Sequence, residues 1–208
     1  NIRFLKTHSS FHEINGHKFT DLKNTLGVIY VVRDPRTVVK SYANHHQMSL
    51  EEAASKLFEF TTLSELTKHS QKIGERRITH VGSWASNYNT WKYFKKFNKY
   101  LLVKYENLVS NPEKTFTEIL NFIYMLGKSK FQIDKKKLKN TIESTSFAEM
   151  QKLEKKEGFP EAVKNINGEN IIFFKYGPKK NNQNFLSKDL KVNIENKFKN
   201  ELKELEYI

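Results

Sequence analysis

The stretch from Gly27 to Ser41, GVIYVVRDPRTVVKS, limits the possible folds more than any other part of this sequence. Val28 to Val32 form an unbroken apolar and aromatic run rich in β-branched residues, as expected of a strand buried on both faces in a parallel sheet. Arg33 stands where that strand ends, Asp34 and Pro35 break the run, and Thr37 opens a helix with Val38, Val39 and Tyr42 as its apolar stripe. Ser41 then falls one helical turn in. A strand, an abrupt basic turn and a helix start place ligand groups at the carboxyl edge of a sheet, where helix amides face an anion.

The remaining chain is long enough to support that edge. Its 208 residues suit a single domain spanning 1–208, and 16 Phe with 9 Tyr supply a core that the modest aliphatic content alone would not. There is no cysteine, which excludes disulfides, thiolate metal sites and thiol catalysis. No apolar run approaches the roughly 20 residues of a membrane span, and no signal peptide is visible, so a cytoplasmic protein is expected. The formal net charge of +13 invites a nucleic-acid or membrane-surface partner. The charge is almost all lysine scattered among asparagines, however, whereas groove and phosphate readers favour arginine. Arginine occurs only at positions 3, 33, 36, 76 and 77, so finding Arg33 and Arg36 together in the opening stretch is informative.

The chain starts at Asn1 and runs straight into IRFLKTHSS, which reads as a domain whose amino-terminal part lies outside the sequence. Ile2 and Phe4 suggest a strand, and alternation places Lys6 and His8 on one face of it. Phe11 to Asn24 reads as a loop with ordinary surface histidines at His12 and His17. Ser49 and Glu52 make a capping box for a helix running to about Thr67. Gly82 to Lys96 is helical, with an aromatic stripe of Trp84, Tyr88 and Trp91, and Tyr100 to Val103 is a second apolar strand that Tyr105 follows. Further helices are expected from Pro112, from Asp134 to Glu143, from Ser146 to near Gly158, and from Ser187. Between them, Tyr176-Gly177-Pro178-Lys179-Lys180 is a basic loop able to close over an anion.

Four blocks in this order, KTH at Lys6 to His8, IYVVRDPRTVVKS, LLVKYENLVSNP and STSFAEM, resemble the soluble sulfotransferases that use 3′-phosphoadenosine 5′-phosphosulfate (PAPS). The resemblance implies an α/β fold, a P-loop-like three-layer sandwich with a central parallel sheet flanked by helices. The family's first strand and lysine-containing phosphate loop, which precede the KTH block, have no counterpart in this sequence, so this chain alone is expected to be inactive. By the same resemblance His8 matches the general base and Lys6 a lysine that stabilises the transferring sulfuryl group. Arg33 and Ser41 match the pair that grips the 3′-phosphate, and Tyr105, Thr145 and Phe147 match residues around the adenine. Lys175 and Gly177 fall in the late loop that also reaches the 3′-phosphate. There the family's Arg-Lys-Gly is replaced by Lys175-Tyr176-Gly177, so Lys179 and Lys180 are candidates to share the grip.

The implied reaction transfers a sulfuryl group from PAPS to a hydroxyl or amine of a small-molecule or glycan-like acceptor, leaving adenosine 3′,5′-bisphosphate (PAP) and using no metal. Neither the acceptor nor the oligomeric state is encoded in any motif, and no nucleic-acid partner is expected. The alternatives are a nucleotide-binding phosphotransferase or kinase, a basic nucleic-acid-binding module, and a family member without catalysis.

Overall fold

The computed structural model describes residues 2–60, 63–65, 78–130, 132–160, 162–165, 167–177 and 184–208. Residues 2–10 carry no regular structure, and Ile2, Phe4 and Leu5 are exposed. The strand expected there is not formed, so Lys6 and His8 do not share a strand face; among the described residues the backbone of the segment reaches a strand only at Ser10, whose N–H donates to the His80 carbonyl at 2.8 Å, which is too little to build a ladder. The loop expected next instead contains a short hairpin, β1 (Glu13–Ile14) and β2 (His17–Lys18). Asn15 and Gly16 both adopt positive φ, 51° and 81°, which is the backbone a two-residue hairpin turn requires.

Strand β3 (Val28–Val32) forms as its β-branched run dictates. The next helix, α1 (Pro35–His46), starts two residues earlier than the expected Thr37, because Asp34 caps it by accepting from the Arg36 N–H and Pro35 suits the first turn. Thr37 sits within that turn, its hydroxyl donating to the Asp34 carbonyl at 2.9 Å. Helix α2 (Leu50–Phe58) opens on the expected Ser49–Glu52 capping box but ends at Phe58, where Glu59 turns extended; Thr67 lies outside the described residues.

Strands β4 (Leu63–Glu65) and β5 (Ile78–His80) pair antiparallel. Helix α3 (Trp84–Trp91) passes into a 3₁₀ turn, Lys92–Phe97, and then β6 (Tyr100–Lys104). Helices α4 (Tyr105–Ser110), α5 (Pro112–Leu126), α6 (Lys135–Ser144) and α7 (Phe147–Glu157) follow. The helix expected from Ser187 is two pieces, α8 (Lys188–Lys197) and α9 (Lys199–Glu204), broken at the buried Phe198, whose ring packs on Trp84 and Phe58.

β3 and β6 run parallel in the register Val28↔Tyr100 to Val32↔Lys104. That pairing sets the next residues, Arg33 and Tyr105, side by side at the carboxyl ends of the two strands. One face of the pair is covered by α3, the 3₁₀ turn and α9, through Val32, Tyr88 and Leu205 and through Phe11, Trp91 and Phe94. Along the other side α5 packs on β6, and its Phe122 and Leu126 reach Gly27 so closely that a Cβ there would overlap Leu126. β3 is not buried on both faces as its sequence suggests: Val31 is 55% exposed, because among the described residues β6 is its only strand neighbour. A second core joins α1 and α2 to α8 and α9 through Val39, Ala53, Leu57, Ile194, Phe198 and Leu202. The result is the expected α/β class, a parallel sheet flanked by helices.

Candidate nucleotide-binding site

The strand ends assemble the first part of the site. The Arg33 guanidinium carbon lies 4.5 Å from the centroid of the Tyr105 ring, a cation–π contact, and its Nε donates to Thr37 Oγ1 at 3.0 Å. The Arg33 carbonyl accepts from the Trp84 indole at 3.1 Å, which ties the turn to α3. The group expected to meet adenine, the Tyr105 ring, is thus in contact with the arginine expected to grip phosphate.

Arg36, the second arginine of the stretch, points the other way. Its side chain is only 8% exposed and is consumed by an internal network. It donates to both Asp34 carboxylate oxygens, to Glu195 Oε1 at 2.6 Å and to the Tyr207 carbonyl at 2.9 Å. Burial by itself lowers its pKa, but the hydrogen bonds and charges of Asp34 and Glu195 outweigh that and raise it. Glu106, the residue after Tyr105, completes the platform. One of its oxygens accepts the Asp34 N–H at 3.1 Å and the other the Tyr207 hydroxyl at 2.8 Å.

Along α1 the second part of the site collects. Ser41 is half-buried one turn beyond Thr37, and Asn44 follows at the next helical contact position. Asn44 docks the late loop: its Oδ1 accepts from Lys175 Nζ at 2.9 Å and its Nδ2 donates to the Ile172 carbonyl at 3.3 Å. Gly177 comes against the ring of Phe147, so that a Cβ on it would stand 3.0 Å from Phe147 Cε1. Thr145 is exposed at the end of α6 and its hydroxyl turns back to the Thr141 carbonyl at 2.7 Å. Lys179 and Lys180 lie outside the described residues.

Lys6 and His8 stand apart on the irregular amino-terminal segment, both exposed. The His8 carbonyl accepts from Asn87 Nδ2 at 3.1 Å, and the same amide also donates to the Val81 carbonyl and accepts from the Tyr30 hydroxyl on β3. His8 is therefore tied to the strand that delivers Arg33, three residues after Tyr30. His12 is not an ordinary surface histidine: its ring packs on Phe60 and His80, and its Nε2 is buried with no hydrogen-bond partner among the described residues. Burial, and then the charge of His80, lower its pKa below 6.5. Asn87 and Glu106 hold site groups in place with no sequence signal beyond being polar near a motif, whereas Thr37 and Trp84, read from the sequence only as a helix start and a helical stripe, also do so.

A parallel strand pair delivers an arginine and a tyrosine to the start of a helix, and a lysine-bearing loop docks along that helix, within an α/β fold. Residues 1–206 match the family model of the sulfotransferase domain, and the chain belongs to that family. It is also similar in fold to the crystal structure of mouse sulfotransferase SULT7A1 complexed with PAP, with a TM-score of 0.54 at 16% sequence identity. That similarity covers 85% of this chain and 58% of the mouse chain.

Proposed function

We propose that this chain forms the 3′-phosphate-binding and acceptor-facing part of a PAPS-dependent sulfotransferase that modifies a hydroxyl or amine of a small-molecule or glycan-like acceptor. The observation that carries the reading is the Arg33 guanidinium resting on Tyr105 at the carboxyl ends of the parallel pair, with Ser41 along the adjoining helix. The donor set fits the co-substrate: a guanidinium, a hydroxyl and the Lys175 ammonium are all suited to a phosphate dianion. The SULT7A1 structure is described as a complex with PAP, which supports the same ligand class here.

When bound, PAPS supplies an activated sulfuryl group. This chain's own contributions are then binding, through Arg33, Ser41, Lys175 and Gly177, and placement of the base, through tethering of the His8 backbone by Asn87. His8 takes the acceptor's proton and Lys6 offers positive charge beside the transferring group. An imidazole suits that role near neutral pH, and general-base assistance is worth roughly 10²- to 10⁴-fold. Tyr105, Thr145 and Phe147 bound the adenine side.

Calorimetric titration with PAP and with adenosine 5′-phosphate tests the reading. Arg33→Ala is expected to weaken PAP about tenfold or more while changing the 5′-phosphate nucleotide little, since only PAP carries the group that Arg33 holds. Equal weakening of both ligands would refute the contact. Magnesium-dependent ATP binding without PAP binding would instead favour the phosphotransferase alternative.

A further inference from the structure

Lys40 precedes Ser41 on α1, and its ammonium is held between two rings, 4.5 Å from the centroid of Tyr176 and 4.6 Å from that of Phe185. Lys175 approaches the same Tyr176 ring, at 5.5 Å, while donating to Asn44 on α1. Two ammonium groups thus flank a single phenol ring. No carboxylate among the described residues forms an ion pair with either of them, whereas the half-buried Lys92 and Lys104 each have one, Glu204 and Glu206. Ring faces attract each cation but cancel neither charge, so both ammonium groups keep the capacity to pair with an anion. Lys40, Asn44, Tyr176 and Phe185 also line an open cleft of about 440 Å³ along α1, space enough for a phosphate group to reach the ammonium.

We propose that Lys40 is a further nucleotide-binding residue, which with Lys175 neutralises the 3′-phosphate on the side of that group away from Arg33. Tyr176 then acts through the two lysines: its ring spaces them and, with Phe185, holds the Lys40 stem against the loop. The inference rests on the PAPS reading above and names a residue that none of the four sequence blocks singles out.

The test is calorimetric titration of this chain and of Lys40→Met, Lys40→Arg and Tyr176→Leu with PAP and with adenosine 5′-phosphate, each variant first checked for an unchanged circular dichroism spectrum. Lys40→Met is expected to weaken PAP about tenfold, the scale of one charged hydrogen bond, and the 5′-phosphate nucleotide less than about twofold. Lys40→Arg should restore most of the PAP affinity, and Tyr176→Leu should fall between the two. PAP binding within about twofold of the parent in Lys40→Met, or equal loss for both nucleotides, overturns the proposal. Should Lys40→Met misfold, Tyr176→Leu with unaltered PAP affinity overturns it as well. Failure of the underlying reading has a different signature, either no PAP binding by the parent chain or an Arg33→Ala variant that loses nothing.

Discussion

Arg36→Met separates the two arginines of the opening stretch by what they do. The side chains of Arg36 and Asp34 are each 8% exposed, and Glu195 is 27% exposed. Removing the guanidinium leaves the Asp34 carboxylate buried without its cation and the Tyr207 carbonyl without its donor, while methionine fills similar volume. Breaking one partner of a buried pair in this way costs about 3–5 kcal/mol. For a chain of this length each kcal/mol shifts the melting temperature by roughly 2–4 °C, so a fall of roughly 10 °C is expected. Urea denaturation followed by circular dichroism at pH 7 measures the loss directly. Adding Asp34→Asn should recover about 1 kcal/mol or more, because the charge that Arg36 balanced goes while the cap to the backbone N–H of residue 36 survives. A loss below about 1 kcal/mol for Arg36→Met, or a double variant less stable than the single, would refute the view of Arg36 as an internal strut.

Gly177→Ala places a methyl group 3.0–3.5 Å from three ring atoms of Phe147, so either the ring or the late loop must shift. PAP affinity should drop several-fold with little change in melting temperature, since Phe147 is half-buried; unchanged affinity would show that the loop has room to give. His12 predicts an acid-side loss of stability. Its folded pKa lies below the ordinary 6.5, so the unfolded chain binds the proton first, and stability is full above about pH 6.5 and declines as the pH falls below it. In His12→Phe the urea midpoint should fall less between pH 7.5 and 5.5 than in the parent. The groups facing His12 are Phe60 and His80, and equal pH dependence in both proteins would refute the assignment to His12.

What the sequence revealed of this fold was local. The run Val28 to Val32, the caps at Ser49, Asp134, Ser146 and Ser187 and the proline start at Pro112 each follow from neighbouring residues, and each is present. The missed hairpin was also local, since Asn15-Gly16 is a turn signal in its own right. The rest depended on partners far along the chain. Arg33 and Arg36 look alike in sequence, and only Glu195, 159 positions on, and Tyr207, 171 positions on, make Arg36 structural. Lys6 and His8 have strand spacing but no described strand to pair with, so spacing alone misplaced them. His12 gives no sign in its own neighbourhood of the packing that Phe60 and His80 impose. The pairing of Arg33 with Tyr105 at the ends of β3 and β6 follows from two strands that were legible, whereas the Asn87 tether and the Glu106 platform were not.

The long reach of Arg36 also has a consequence in time. During synthesis the acceptors that Arg36 needs follow it by 159 and 171 residues. At about 5–20 residues per second, that interval is roughly 10–30 s. Throughout it the turn that carries Arg33 lacks its floor, and α1 lacks the Ile194, Phe198 and Leu202 surface against which Val39 packs. Nascent chains stalled before Glu195 should therefore be cut readily within residues 33–46 by added protease, and chains released after Tyr207 should not be. On the ribosome, this strand edge is made long before the residues that make it rigid.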